Sequence, residues 1–200
     1  MNLWFRMLWY ALVARWRPAV HMPHGISRLS FRVWPRDLDT SLHMNNGRYL
    51  TLMDLGRLDI MVGSGLWRAV MRHGWTPVAS AIKIRFRREI RLWERFRIET
   101  RIVAWDQLTV VMEQVFLFEG GERDGQVAAQ ALFKGGLYDR KSRRFVPIAQ
   151  LMQETGVSAE SPEPSPEVEA FLKADEELKR AAQRRPYGAD MDAQKHGIQE

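Results

Sequence analysis

Not one of the 200 residues is cysteine, which excludes a disulfide framework, a thiolate zinc site, an iron–sulfur cluster and a cysteine nucleophile. The same absence fits a reducing, cytoplasmic setting. No apolar run reaches the ~18–20 residues that a membrane-spanning helix needs. The nearest approach, at the amino terminus, is broken at Arg6, ends by Arg15 and has no small-residue cleavage site behind it, so a signal peptide fits poorly as well. Zinc-finger spacing, a helix-turn-helix pattern and an aromatic RNA-binding motif are all missing, and no nucleic-acid partner is expected. There is no internal repeat.

What is present can build a core, with 46% hydrophobic and 10% aromatic residues in a length that suits one domain with an appendage. Residues 1–156 hold 24 Lys/Arg against 14 Asp/Glu, a balance of +10, whereas residues 157–200 hold 6 against 10, a balance of −4. Charge alone suggests an anionic partner, whether nucleic acid, membrane phosphate or a phosphorylated cofactor, and the missing nucleic-acid motifs set the first aside.

Three regions follow from the pattern. Residues 1–20 combine Trp4, Phe5, Leu8, Trp9 and Leu12 with Arg6, Arg15 and Arg17. Such an amphipathic segment either lies on a membrane surface through residues 1–17 or packs against protein. Residues 26–153 form the body. Ser27–Trp34 alternates as a half-buried strand, a polar turn spans Arg36–Asn46, and Gly47–Val62 is apolar on nearly every side, as an enclosed helix should be. Gly63 and Gly65 stop that helix, and Leu66–His73 makes a second, short one. Val78–Arg87, Arg95–Trp105, Leu108–Phe118 and Gln126–Tyr138 read as strands. Residues 154–200 comprise a Pro/Ser/Glu linker, a charged helix over Glu167–Gln183 and a disordered tail. The order of elements predicts an α+β domain in which a curved antiparallel sheet wraps one central helix.

The chemically dense stretch is the strand-to-helix junction, Asp37-Leu-Asp39-Thr-Ser-Leu-His43-Met-Asn45-Asn46. Unpaired N–H groups and the dipole at a helix start favour negative charge there. Read from the residues alone, two accounts stay open. Asp37 and Asp39 shape the turn while Asn45 or Asn46 caps the helix, or the same groups form a reactive site.

Asp-x-Asp-x-x-x-His-Met-Asn-Asn-x-x-Tyr-Leu, followed by Met53-Asp54-x-x-Arg57, resembles the signature of hot-dog acyl-CoA thioesterases of the 4-hydroxybenzoyl-CoA thioesterase type, closest to the subgroup with His-Met-Asn-Asn. The resemblance spans roughly Arg28–Val146. It implies a hot-dog fold, hydrolysis of an acyl-CoA or acyl-carrier-protein thioester, and assembly as a homodimer or dimer of dimers. It also implies a catalytic set of Asp39 as carboxylate, the Asn46 backbone N–H as polarising donor, and His43 and Asn45 in the polar loop. Asp54 and Arg57 match positions where the family often carries Glu and Arg. Many members have glycine before the histidine, where this chain has Leu42. No metal and no cofactor are implied beyond coenzyme A as part of the substrate. Lys83, Arg85 and Arg87 on one strand face, with Arg88 just after, suit the phosphates of coenzyme A, or else belong to a solvated outer face. An enoyl-thioester hydratase and a non-catalytic acyl-thioester-binding module are the competing readings. Hydratases of this fold place four residues between Asp and His, whereas Asp39 and His43 have three between them.

Overall fold

Alternating apolar residues become strands close to where the sequence places them. The computed structural model describes residues 19–157 and 160–184. Strand β1 (Ser27–Arg32) leads through a short 3-10 turn at Pro35–Asp37 to helix α1 (Asn46–Gly63) and then helix α2 (Leu66–His73). Four long strands follow: β2 (Trp75–Phe86), β3 (Arg95–Trp105), β4 (Val110–Phe118) and β5 (Val127–Asp139). A two-residue strand β6 (Arg144–Phe145) and helix α3 (Ile148–Thr155) close the series.

The sheet is antiparallel in the order β1-β3-β4-β5-β2, with β6 beside β5. This places β2 at an edge, and that explains why it begins three residues before the alternation does. Pro77 has no N–H to donate, and an edge strand leaves one side of its backbone without a ladder partner to need it. Helix α1 lies on the inner face, where Leu52, Met53 and Leu55 join Phe96, Ile98, Phe116 and Ala129 in the main core. The helix approaches the strands closely at Gly56, where a Cβ would stand 2.4 Å from Thr100 Oγ1. Gly65, in the left-handed region at φ 80°, turns the chain from α1 into α2. A second core, made by Val70, Trp75, Leu137, Ile148 and Leu151, gathers α2 and α3 against the sheet.

Helix α3 is not among the elements predicted from the sequence, although Ile148, Leu151 and Met152 stand at helical spacing. It is anchored at its far end by Glu154, whose carboxylate meets His73 Nε2 at 2.8 Å and Arg72 Nη1 at 3.3 Å.

By packing, the chain divides between Glu163 and Pro164. The second unit is the charged helix expected from the sequence, α4 (Pro166–Arg184), with Glu167 and Glu169 in its first turn and Arg184 in its last, a placement that complements the helix dipole. The amphipathic amino-terminal segment lies outside the described residues apart from 19–20, as do residues 185–200 of the tail.

Candidate active site

The junction between β1 and α1 is built by its own polar side chains. Asp37 is fully buried, accepts the Trp34 N–H at 3.0 Å and pairs with Arg48 Nε at 3.0 Å, which ties the turn to the first turn of the helix. Its carbonyl accepts the Asn45 N–H at 2.8 Å. Asn45 is the N-cap, its Oδ1 accepting from the Gly47 N–H at 2.8 Å. Between them Asp39 to His43 forms a tight loop: the Asp39 N–H donates to the His43 carbonyl at 2.9 Å, and the Leu42 N–H to the Asp39 carbonyl at 3.1 Å. Leu42 takes φ 62° to make this turn, the left-handed conformation that glycine adopts without strain.

Asp39 is half-buried, and its Oδ1 accepts from the Ser41 N–H at 2.9 Å and, more weakly, from the His43 N–H at 3.4 Å. Oδ2 has no hydrogen-bond partner among the described residues. The Asn46 N–H at the helix start is likewise without an acceptor among them, and the residue is exposed. His43 turns the other way: its Nε2 stands 3.1 Å from Glu89 Oε2, and its backbone bridges to Arg91. The Arg91 guanidinium, foremost, holds the Glu89 carboxyl below its usual range, with His43 adding to the effect. The Met44 N–H donates to the Ile90 carbonyl at 2.9 Å, so the basic run that begins at Arg85 ends against this loop. Arg85 is on the outward face of β2; Arg87 and Arg88 follow its end, all three exposed, and Arg88 Nη1 reaches the Val127 carbonyl at 2.9 Å.

Asp54 and Arg57 form an ion pair one helical turn apart on α1. Arg57 is nearly enclosed: Nη1 donates to Gln114 Oε1 at 2.8 Å, and the guanidinium lies over the Phe133 ring at 4.1 Å. Burial lowers its pKa while Asp54 opposes the shift. Gln114, also fully buried, donates from Nε2 to the Met53 carbonyl at 2.9 Å and to Thr100 Oγ1 at 3.0 Å. This network satisfies polar groups that would otherwise be costly inside the fold. Beside it opens an apolar cavity of ≈270 Å³ between the second half of α1, the sheet and α3. Asp54 and Arg57 line it; Asp39, His43, Asn45 and Asn46 do not.

The structure thus sorts the sequence-derived residues into two groups. Asp39, His43, Asn45 and Asn46 share the loop and helix start, with Arg85, Arg87 and Arg88 leading toward them. Asp54 and Arg57 belong to the cavity. Sequence reasoning passed over Gln114 and Glu89. Gln114 carried a usable signal, a polar residue on the inward face of a strand otherwise filled by Met112 and Phe116. Glu89 carried none, because it meets His43 only through tertiary folding.

Comparison with known proteins agrees with this architecture. Residues 33–164 match the family model of the thioesterase-like superfamily. Protein THEM6 of Xenopus laevis is 38% identical over 122 residues, 58% of this chain and 58% of that protein. The chain spans less than two thirds of the length of the curated THEM6 proteins from Xenopus laevis and Danio rerio that it matches. The long-chain acyl-CoA thioesterase FadM of Escherichia coli (strain K12) is 26% identical over 117 residues, 58% of this chain and 86% of that protein. The solved structure of YbaW, a probable thioesterase from Escherichia coli, superposes with a TM-score of 0.58 at 25% identity, covering 64% of this chain and 94% of that one. The curved sheet around α1 is the hot-dog fold, and with more than half of its length matched by the family model the chain belongs to the thioesterase-like superfamily.

Proposed function

We propose that the protein hydrolyses an acyl-CoA, or an acyl group on a carrier protein, to the free acid and thiol. The observation that carries this reading is a half-buried carboxylate in the loop that leads into α1, together with a helix N–H at its start that has no acceptor among the described residues, in a chain of the thioesterase-like superfamily. The loop amides hold Asp39 by Oδ1, which leaves Oδ2 to take a proton from water as that water's oxygen bonds to the thioester carbonyl carbon. Negative charge then builds on the carbonyl oxygen, where the Asn46 N–H supports it without moving. The C–S bond breaks on collapse of this intermediate, and the sulfur leaves as thiolate and takes up a proton. Asn45 contributes by capping the helix, and His43, held by Glu89, by fixing the loop. Arg85, Arg87 and Arg88 supply cations for the phosphates of coenzyme A next to that loop.

A second assignment of the base is favoured by one observation: Asp54, not Asp39, lines the cavity. The two carboxamide variants decide between them. Asp39→Asn is expected to lower turnover at least ~100-fold with the fold intact, and Asp54→Asn to lower it less than ~10-fold. The reverse pattern transfers the role to Asp54. Free thiol released from acyl-CoA is the measure; loss of enoyl absorbance with no thiol would indicate a hydratase, and binding with neither a binding module.

The protein is further proposed to act as a homodimer or a dimer of dimers. Ile82, Ile84 and Phe86 alternate on the inward side of edge strand β2, yet Ile82 and Phe86 remain 39% and 43% exposed in the single chain. An unpaired edge flanked by uncovered apolar side chains is what a second copy would cover.

A further inference from the structure

The cavity is lined by methionines to a degree that its surroundings are not. Met22 precedes the first strand, Met61 is on α1, Met112 on β4 and Met152 on α3, and all four converge on the same space. Only ten methionines occur in the whole sequence. Met44 and Met53, by contrast, are packed in the main core, and Met71 is exposed. Unbranched thioether side chains rotate about three bonds and adjust to whatever lies against them, so a wall made of them accepts a flexible apolar guest better than a rigid one. The remaining wall is aliphatic and aromatic, from Ile102, Phe133, Leu137 and Leu151. At one side stands the Asp54–Arg57 pair, the aspartate exposed and the arginine nearly enclosed, a polar boundary to the apolar space. On the other side, α3 is held down at Glu154 by Arg72 and His73, so this wall is fixed by an ion-paired clamp rather than by packing alone.

We propose that this cavity is the chamber for the acyl chain, and that the substrates are thioesters of flexible aliphatic acids of medium to long chain rather than of aromatic or polar acids. The identity of the guest as the acyl part of a substrate rests on the thioesterase reading above; the existence of an aliphatic-chain site does not. The chain enters past Asp54 and Arg57 and extends toward α3, with Met22, Met61, Met112 and Met152 closing around it. Met152 sits on the clamped helix and limits the depth.

The test uses the full-length protein with its methionine methyl groups labelled with carbon-13, the signals being assigned by conservative Met→Leu replacements. Dodecanoate is titrated in, and 2-naphthoate serves as the rigid aromatic comparison. Dodecanoate is expected to shift the methyl signals of Met22, Met61, Met112 and Met152 while those of Met44, Met53 and Met71 stay in place, and naphthoate is expected to leave all of them unmoved. Met152→Trp, which fills the chamber from the α3 side, should weaken dodecanoate binding at least ~10-fold. In the same variant, turnover of dodecanoyl-CoA should fall by a larger factor than that of butyryl-CoA. Unmoved cavity methyls in the unsubstituted protein, or equal shifts with naphthoate, would overturn the proposal whether or not the variant folds. Saturable binding at the four methionines with no hydrolysis of any acyl-CoA would leave the chamber standing and remove the hydrolase; hydrolysis of dodecanoyl-CoA with unmoved methyls would do the opposite.

Discussion

Leu42 occupies a backbone conformation at φ 62° that a branched side chain enters only at a cost of roughly 1–2 kcal/mol. The turn needs that angle because Asp39 and His43 must face each other across it, and Leu42 is 70% exposed, so no packing compensates. Leu42→Gly is therefore expected to raise unfolding stability by about 1 kcal/mol, after the greater flexibility of glycine in the unfolded chain is deducted. Chemical denaturation measures it, and unchanged stability would mean that the loop carries no strain. Tyr49 offers a second test. Its hydroxyl is pushed up from 10.0 to about 12, chiefly by burial among Phe86 and Phe116. Below pH 10 the folded and unfolded chains both keep this proton. Between pH 10 and 12 the unfolded chain loses it while the folded chain retains it, so stability falls as pH rises across that window. Two pKa units amount to ~2–3 kcal/mol. Tyr49→Phe should abolish this part of the alkaline loss, and parallel pH curves for the two proteins would contradict the assignment.

Helix α1 is the element on which the rest depends, since it forms the inner side of the core, carries the N–H groups at its start and walls the cavity with its second half. Its closeness to the sheet is set at Gly56, with Thr100 Oγ1 2.4 Å and Gln114 Nε2 2.9 Å from where a Cβ would be. Both neighbours belong to the network that holds Arg57, so neither can withdraw without losing hydrogen bonds. Gly56→Ala improves helix propensity, yet it is expected to destabilise the fold by about 1–3 kcal/mol, because overpacking outweighs a propensity gain of roughly 1 kcal/mol. A melting temperature equal to or above that of the unsubstituted protein would show that the helix can lift away from the strands.

For the whole molecule, the decisive surface is the β2 edge. Light scattering on the eluting protein is expected to give a dimer or larger assembly, and Ile82→Lys to shift it to monomer, since a charge placed among uncovered apolar side chains opposes their burial. A monomeric unsubstituted protein would remove the assembly from the proposal.

The elements were legible because each is specified locally. Arg95–Trp105 alternates, and it is a strand over those residues; Leu66–His73 has helical spacing, and it is a helix over those residues. A polar turn and a cap at Asn45 or Asn46 were legible for the same reason, their hydrogen bonds closing within a few residues, and the structure puts the cap at Asn45. Helix α3, of the same length as α2, is held in its place by Arg72 and His73 some eighty residues earlier. The sequence by itself determined the order of the first five strands and the first two helices, the position of the polar junction and the membership of the chain in its fold. Tertiary structure alone decided that Asp54 and Arg57, not Asp39, border the cavity, and that methionines at 22, 61, 112 and 152 meet in one space. The physical reason is range: periodicity and capping are set by neighbours in the chain, whereas a cavity is bounded by residues that only the closing of the sheet over the helix brings together.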